Sequence, residues 1–359
     1  MFKTSKIFFC LLLLFMMVWQ LPACYNFFVA KSVDIPFTLY SGIAGEFASL
    51  KLDEDKKMHY RDASGREYTE EQFDSILPAF YYRQLVTDGR FPDSIHGIAV
   101  TPRQVQVSNF NMRISPLDLN KPRLGIQQML ESMSGRVDLE LPDDAFRITP
   151  EGMEFVKMET NAIDHEKSAR FTQMMKQKGF LFPAANISGN PTDRKEYDEG
   201  YVMLDAARKL FHVKQTVGRP YVRAIALPEG MTPKHLFITE FPSRKWLCFL
   251  TDTEGHLWVV ERESYDVRRT EIPPFTPEEQ SMLIIGNMFD WTVKVNRGTS
   301  ECYYAISAQD YSLIDSMSYQ TPSHTLPGLS FTSTKDKFVN LENHILYTRS
   351  QLQKLSLAR

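Results

Sequence analysis

The chain has 359 residues, 43% of them hydrophobic and 24% charged, with a formal net charge of −3, a composition that suits ordinary globular domains with one large or two modest cores. Acidic and basic residues are interspersed, so charge gives no argument for nucleic acid or an anionic surface as partner. Aromatic residues are abundant, with 25 Phe and 15 Tyr, which favours short strands packed face to face over a helical bundle.

Residues 7–19, IFFCLLLLFMMVW, carry no charge; Lys3 and Lys6 precede them, and apolar character resumes after Pro22 as far as Ala30. Three readings compete. A cleaved signal peptide needs small residues before its cut, which Leu21-Pro22-Ala23 half supplies. A lipoprotein signal would modify Cys24, although proline disturbs that motif. An uncleaved anchor needs about 20 mostly apolar residues, which 7–30 provide, with Trp19 and Tyr25 placed as interface residues. The anchor is the preferred reading: residues 1–30 form a transmembrane signal-anchor with Lys3 and Lys6 on the cytoplasmic side, and residues 31–359 form an extracytoplasmic domain. The expected location is the inner membrane, single-pass with the domain in the periplasm, and a lipoprotein is the alternative.

Along the rest of the chain, His59 to Tyr68 read as a strand, a turn at Asp62 and a second strand. Thr69-Glu70-Glu71-Gln72 has the form of a capping box, and Phe73, Ile76, Leu77 and Phe80 fall at helical spacing, so a helix starts after Tyr68 and is broken or kinked at Pro78. Helices are also expected over Leu124 to Ser134 and Asp164 to Lys178, the latter closed by Gly179 as C-cap, and over Leu341 to Leu357. Between Phe180 and Gly200 lies a loop in which Ser188-Gly189-Asn190-Pro191 must turn and Asp193-Arg194-Lys195-Glu196 must be solvated. Asn190, Asp193, Arg194 and Lys195 are its candidate binding residues.

Two stretches repeat. Tyr201 to Val213 and Cys248 to Val260 each run apolar into an Asp, turn, and resume as Leu-aromatic-x-Val, with the aspartates 47 residues apart at Asp205 and Asp252. The match extends over 200–228 and 247–273, and residues 290–314 repeat the order strand, strand, turn, strand. Such a unit cannot bury its own sheet faces, so copies must stack. The expected fold is mainly β, a propeller-like array of antiparallel hairpins or blades with a few helical insertions, in which Phe211 and Trp258 occupy equivalent strand positions.

No motif calls for catalysis, a cofactor or a metal. The pairs Asp143-Asp144, Asp198-Glu199 and Glu278-Glu279 read as solvated turns. His59, His212 and His256 lie near hairpin turns without ligand spacing, and His165-Glu166 lacks a second histidine four residues on. There is no nucleophile elbow and no glycine-rich loop leading into a helix. Cys248 and Cys302 lie in strand-like sequence, where they are either a disulfide of an oxidising compartment or two buried thiols.

The phrases PFTLYSG (36–42), DASGREYTEEQFDSILPAFYYRQLVTDGRFPDSIHG (62–97), ESMSGRVDLELPDDAFRI (131–148), KSARFTQ, GFLFPA, GNPTDRKEYDEGY and IIGNMFDW resemble an uncharacterised family of membrane-anchored Bacteroides proteins, a domain of unknown function, over nearly the whole chain. In relatives the position of Cys24 resembles a large apolar residue, which argues against lipidation. The resemblance implies a single N-terminal apolar segment and genes beside ABC-type transporter components, and it assigns no catalytic residue. The expected function is therefore a membrane-anchored, non-enzymatic accessory or sensor protein with transporter permease or ATPase subunits as partners. The alternative is an envelope hydrolase or glycan-binding lipoprotein on a propeller scaffold.

Overall fold

The computed structural model describes residues 2–29, 35–53, 57–121, 125–133, 135 and 139–320, with side chains of the first helix described over 4–20. The chain divides into two units; Pro36–Tyr319 is the larger, and the N-terminal helix α1 (Phe2–Val29) belongs to the other. Along α1, Ile7 to Trp19 are exposed, from 44% at Trp19 to 69% at Phe8. Among the described residues no helix is long and apolar enough to cross a membrane, so the transmembrane reading of 1–30 is not carried by the described residues.

The larger unit begins with a four-stranded antiparallel meander, β1 (Phe37–Ser41), β2 (Glu46–Leu52), β3 (Met58–Asp62) and β4 (Glu67–Tyr68). A helical stretch follows: α2 (Glu70–Ile76), α3 (Tyr82–Thr87), a small hairpin β5 (Ser94–Ile95) with β6 (Ile98–Ala99), α4 (Pro102–Ser108), strand β7 (Phe110–Ile114) and α5 (Pro116–Leu119). Next come a three-stranded sheet, β8 (Asp144–Ile148), β9 (Met153–Lys157) and β10 (Ile163–Asp164), and helix α6 (His165–Gln177). Two further meanders run β11 (Asn186–Gly189), β12 (Tyr201–Leu204), β13 (Leu210–Thr216), β14 (Arg219–Ile225), then β15 (Pro233–Ile238), β16 (Trp246–Asp252), β17 (Leu257–Glu261), β18 (Val267–Arg269). The last sheet is β19 (Ser281–Gly286), β20 (Asp290–Asn296), β21 (Ser300–Ser307) and β22 (Leu313–Gln320), with β7 added beside β19.

The local signals act as expected where they are self-contained. Thr69 accepts from the Gln72 amide at 3.3 Å while the Gln72 side chain accepts from the Thr69 amide at 3.1 Å, a complete capping box, and α2 stops before Pro78, which cannot continue the hydrogen-bond ladder. Asp164 caps α6 through the Lys167 amide at 3.0 Å, and Gly179, at φ 85°, ends it. The helix expected over 124–134 is corrected: residues 125–133 are irregular, with Gln127 exchanging backbone hydrogen bonds with Phe146 and the Ser132 amide donating to Gln215. Its apolar residues Met129 and Leu130 are buried without helix. The helix expected over 341–357 lies outside the described residues.

The repeat is real at the level of hydrogen bonds. At the β3–β4, β12–β13 and β16–β17 turns the aspartate side chain accepts the amide four residues on, from Arg66, Lys209 and His256, at 2.8 to 2.9 Å. The third residue after each aspartate has positive φ, at Gly65, Arg208 and Gly255. In all three the residue two before the aspartate pairs across the hairpin with the residue six after it: Tyr60 with Tyr68, Met203 with Phe211, Leu250 with Trp258. Where that sixth residue has a donor it returns to the aspartate, from the Tyr68 hydroxyl at 2.7 Å and the Trp258 indole at 2.8 Å. Phe211 has none, and the free oxygen of Asp205 accepts the Leu181 amide instead. We expect Asp252→Ala to cost about 2 kcal/mol, because three N–H donors are left without acceptor. Chemical denaturation would check this, and a change within about 0.5 kcal/mol would show the turn to be held by backbone alone.

The sheets stack face to face through successive apolar layers. Phe146, Phe155 and Phe171 of the three-stranded sheet and α6 meet Tyr201 and Phe211. Leu204 and Leu210 meet Leu236, Cys248 and Leu250, with Trp258 packed alongside. Phe249 and Val259 meet Trp291, Val293 and Ile306. Phe211 and Trp258 thus each face the preceding sheet, although Phe211 is buried and Trp258 half-buried. Finally Tyr40 and Phe47 of the first sheet pack on Tyr303 and Ala305 of the last, and the Tyr40 amide donates to the Thr292 hydroxyl at 2.8 Å. The N-terminal meander therefore lies on the C-terminal one, as in a blade array that closes on itself.

Candidate functional site

The helical stretch between the first and second sheets does not fill the space it spans. A hollow of about 830 Å³ opens between the end of β1, the α2–α3 turn, the β5–β6 hairpin, α4 and the β19–β20 turn. Its walls are largely apolar and aromatic, with Tyr40, Phe80, Tyr82, Ile285 and Phe289, and it also reaches Arg83, Arg103 and Glu196.

At its floor stands Asp290, the first residue of β20, which is 7% exposed. One carboxylate oxygen accepts from the Asn287 side-chain amide at 3.0 Å, and among the described residues no cation pairs with it. Burial pushes its pKa up to about 6, against which the Asn287 hydrogen bond is the smaller influence. Above it is Gly42, whose place in the chain is fixed by space: a Cβ there would stand 3.0 Å from Asp290 Oδ2 and 2.5 Å from His96 Nε2. The imidazole and the carboxylate thus both approach Gly42 too closely for any side chain there, and all three residues line the hollow. His96 is held there by a tight hairpin turn in which His96 and Gly97 both have positive φ, 52° and 74°, an unfavourable backbone for a residue with a Cβ. Its ring also stands edge-on to Phe289, with centroids 5.5 Å apart. In the same wall Asn109 donates to Ala79 O at 2.6 Å, and its buried carbonyl oxygen has no partner among the described residues.

The loop singled out from sequence is used differently. Asp193 and Arg194 are exposed, but the solvated reading of Lys195 is corrected: its side chain is 7% exposed, and its Nζ donates to Asp198 and Glu240 at 2.6 Å and to Asn190 O. Asn190 in turn donates to Glu240 at 2.8 Å. Asp198 and Glu199 are not a solvated turn either. Glu199, 1% exposed at its side chain, accepts from Lys214 at 2.8 Å and pairs with Arg262. Burial pushes the carboxyls of both Glu199 and Glu240 up; at Glu199, Lys214 and Arg262 outweigh it and the net shift is downward, whereas Glu240 stays raised. Fully buried His212 donates from Nε2 to Glu199 O at 2.6 Å and accepts from the Tyr265 hydroxyl at 2.8 Å. These groups join β12 and β13 to the neighbouring meander as an internal electrostatic clasp.

Burial, its largest influence, lowers the His212 imidazole to about 4. The unfolded chain, with a value near 6.5, takes up this proton first, so the stability that neutral His212 contributes is complete above about pH 6.5 and is lost towards pH 4, about 3 kcal/mol in all. Urea unfolding should find the advantage of the native chain over His212→Gln shrinking across that window; a pH-independent difference would contradict it.

The other sequence candidates are placed as follows. Cys24 lies where no side chain is described. Cys248 and Cys302 do not pair and are both free. Cys248 is buried between the two central meanders, and Cys302 packs against the neighbouring layer on the far side of β15–β18. Asp144 pairs with Lys167 at 2.7 Å, and Glu278 pairs with Lys234 and with His235. Asp252, Glu254 and His256 bring possible metal-ligand atoms within 4.8 Å of one another. The Asp252 oxygens already serve the turn amides and Trp258, so this cluster reads as a turn. Sequence reasoning did not single out Gly42, His96 or Asp290 as a site. Yet Gly42 closes PFTLYSG, His96 lies at the end of the 62–97 phrase and Asp290 lies in IIGNMFDW, so three phrases of the family resemblance meet in this hollow.

The fold and site define a mainly β chain of stacked antiparallel meanders with a side cavity floored by a lone buried carboxyl. The chain belongs to the family described as Domain of unknown function (DUF4857), whose profile matches residues 37–306. No curated protein matches it. Among solved structures it is similar to BBS1N, solved in complex with ARL6DN, at 11% identity and a TM-score of 0.29 over 82% of this chain and 70% of that one. It is likewise similar to the WD40 domain of SCAP from fission yeast, at 11% identity and a TM-score of 0.30 over 85% and 78%. A third is the β-propeller domain of Cps50 (Swd1) from Myceliophteria thermophila, at 8% identity and a TM-score of 0.25 over 85% and 95%.

Proposed function

We propose that this chain is a membrane-anchored, extracytoplasmic and non-enzymatic accessory or sensor protein that binds a small molecule in the hollow over Asp290 and works with an ABC-type transporter. The observation that carries the binding part is the lone carboxyl, buried without a cation at the floor of a largely apolar cavity. Such a group costs stability and is retained where a ligand completes it. The tether is supported by the uncharged run 7–19, exposed along α1, with inner-membrane topology following from Lys3 and Lys6. The transporter association is supported by the family resemblance.

Purification of the full-length chain from mildly solubilised membranes, with mass spectrometry of its N-terminus, tests this reading. Recovery of a permease or ATPase subunit with an intact N-terminal segment is the expected result. A second reading, an envelope hydrolase, draws on the same carboxyl, since a group titrating near 6 suits a general acid and Glu196 lines the same hollow. Turnover of a glycan panel by the purified chain, abolished in Asp290→Asn, would replace the accessory reading with that one.

A further inference from the structure

The hollow selects for more than size. Asp290 Oδ1 accepts from the Asn287 side-chain amide, whereas Oδ2 approaches Gly42 closely, as His96 Nε2 does, and all three residues line the hollow. A group seated in the hollow against them must satisfy a carboxylate that has no counter-charge and an imidazole nitrogen together. Neutral donors such as hydroxyls would serve geometrically, but they leave the buried negative charge uncompensated. Anions are repelled by it. One carboxylate and one imidazole fall short of the three protein ligands of a catalytic zinc site. An ammonium group supplies the missing charge and several N–H donors, and the aromatic rings of Tyr40, Tyr82 and Phe289 suit both a cation and an apolar body.

From this juxtaposition we propose that the cavity binds an organic amine, its ammonium seated in the hollow beside Gly42, against Asp290 Oδ2 and His96 Nε2, and its apolar body lying along the aromatic walls. The proposal rests on the reading of the hollow as a binding site and names its occupant. The ammonium donates one N–H to the carboxylate and another to the imidazole. The ionisable groups that line the hollow with Asp290 are Tyr40 on β1, Tyr82 and Arg83 on α3, His96 on the β5–β6 turn, Arg103 on α4 and Glu196. None of them pairs with Asp290 among the described residues; Arg83 donates to the Tyr82 hydroxyl and Arg103 to Gln106, neither pairs with a carboxylate among the described residues, and an acidic end of the ligand can meet them. Because burial lifts the Asp290 carboxyl to about 6, binding is expected at neutral pH and fades as that carboxyl takes up its own proton.

The test uses the full-length chain in lipid nanodiscs, with empty nanodiscs as baseline, titrated with phenethylamine and with its uncharged analogue 2-phenylethanol. At about pH 7.5 the amine should bind at least about tenfold more tightly than the alcohol, the effect of one charge-assisted pair. That preference should vanish in Asp290→Asn and on going to about pH 5. In Gly42→Leu, whose side chain would meet His96 Nε2 and Asp290 Oδ2 and displace them, amine binding should be lost, and thermal unfolding of both variants would confirm that they fold. Equal affinity for amine and alcohol, or amine binding retained in Asp290→Asn, overturns the ammonium assignment and leaves the cavity reading standing. Failure of both probes to bind the native chain overturns the two together.

Discussion

Asp290→Asn should make the protein more stable at neutral pH, by about 2 to 3 kcal/mol. The folded chain holds this carboxyl at about 6, above an unfolded value near 3.9. A raised carboxyl contributes stability that is fully present below the unfolded value and is lost as pH rises through about 6, so at neutral pH the native state carries a charge it would rather not hold. Asparagine keeps the shape and a carbonyl oxygen for the Asn287 amide but carries no charge. Urea unfolding of both chains at several pH values reads the effect: the variant's advantage should be full near pH 7.5 and fade towards pH 4. A variant less stable than the native chain at neutral pH would show that the carboxylate is compensated and would remove the argument that it awaits a ligand. The expected pattern, stability gained where binding is lost, is the usual mark of a site kept for function.

Lys195→Met should have the opposite effect, a loss of about 3 to 5 kcal/mol at neutral pH. The Lys195 ammonium stands between the carboxyls of Asp198 and Glu240, each only 3% exposed at its side chain. Without it two buried negative charges face each other, and methionine offers them no donor. Burial already raises the Glu240 carboxyl, so in the variant this group should take up a proton. Part of the loss should then return as pH falls towards 5, the sign expected of a raised carboxyl. A double-mutant cycle with Glu240→Leu should give a coupling above about 1.5 kcal/mol. A cost below about 1 kcal/mol would mean that water reaches the clasp and that Lys195 is available to partners after all.

The two halves of the clasp also explain why a polar loop is a poor guide to a binding surface. Residues 190–200 read as solvated because their charges are dense and their neighbours turn-forming. In the fold, Lys195, Asp198 and Glu199 turn inward onto Glu240, Lys214 and Arg262, exposed Asn190 donates to Glu240 from outside, and Asp193 and Arg194 are left outside. The partner that makes Lys195 internal is 45 residues away, beyond any local pattern. The apolar spacing of 124–134 failed for a similar reason. Met129 and Leu130 are buried, but the backbone amides that decide between helix and irregular chain found their acceptors on β8 and β13.

What the sequence determined by itself were the features whose hydrogen bonds close within a few residues. These are the caps at Thr69 and Asp164, the stop at Gly179, and the aspartate turns at 62, 205 and 252, where one side chain, one left-handed residue and one cross-strand pair specify the hairpin. Repetition of that unit then implied stacking, because a meander with two apolar faces has no other way to bury them. Tertiary structure alone decided which sheet lies on which, that Cys248 and Cys302 sit in different layers, and that residues 42, 96 and 290 share one cavity. Those outcomes depend on desolvation and close approach between segments that carry no trace of each other in their local order. A glycine in a strand end, a histidine in a turn and an aspartate at a strand start are unremarkable singly, and only their convergence on an uncompensated charge makes them a site.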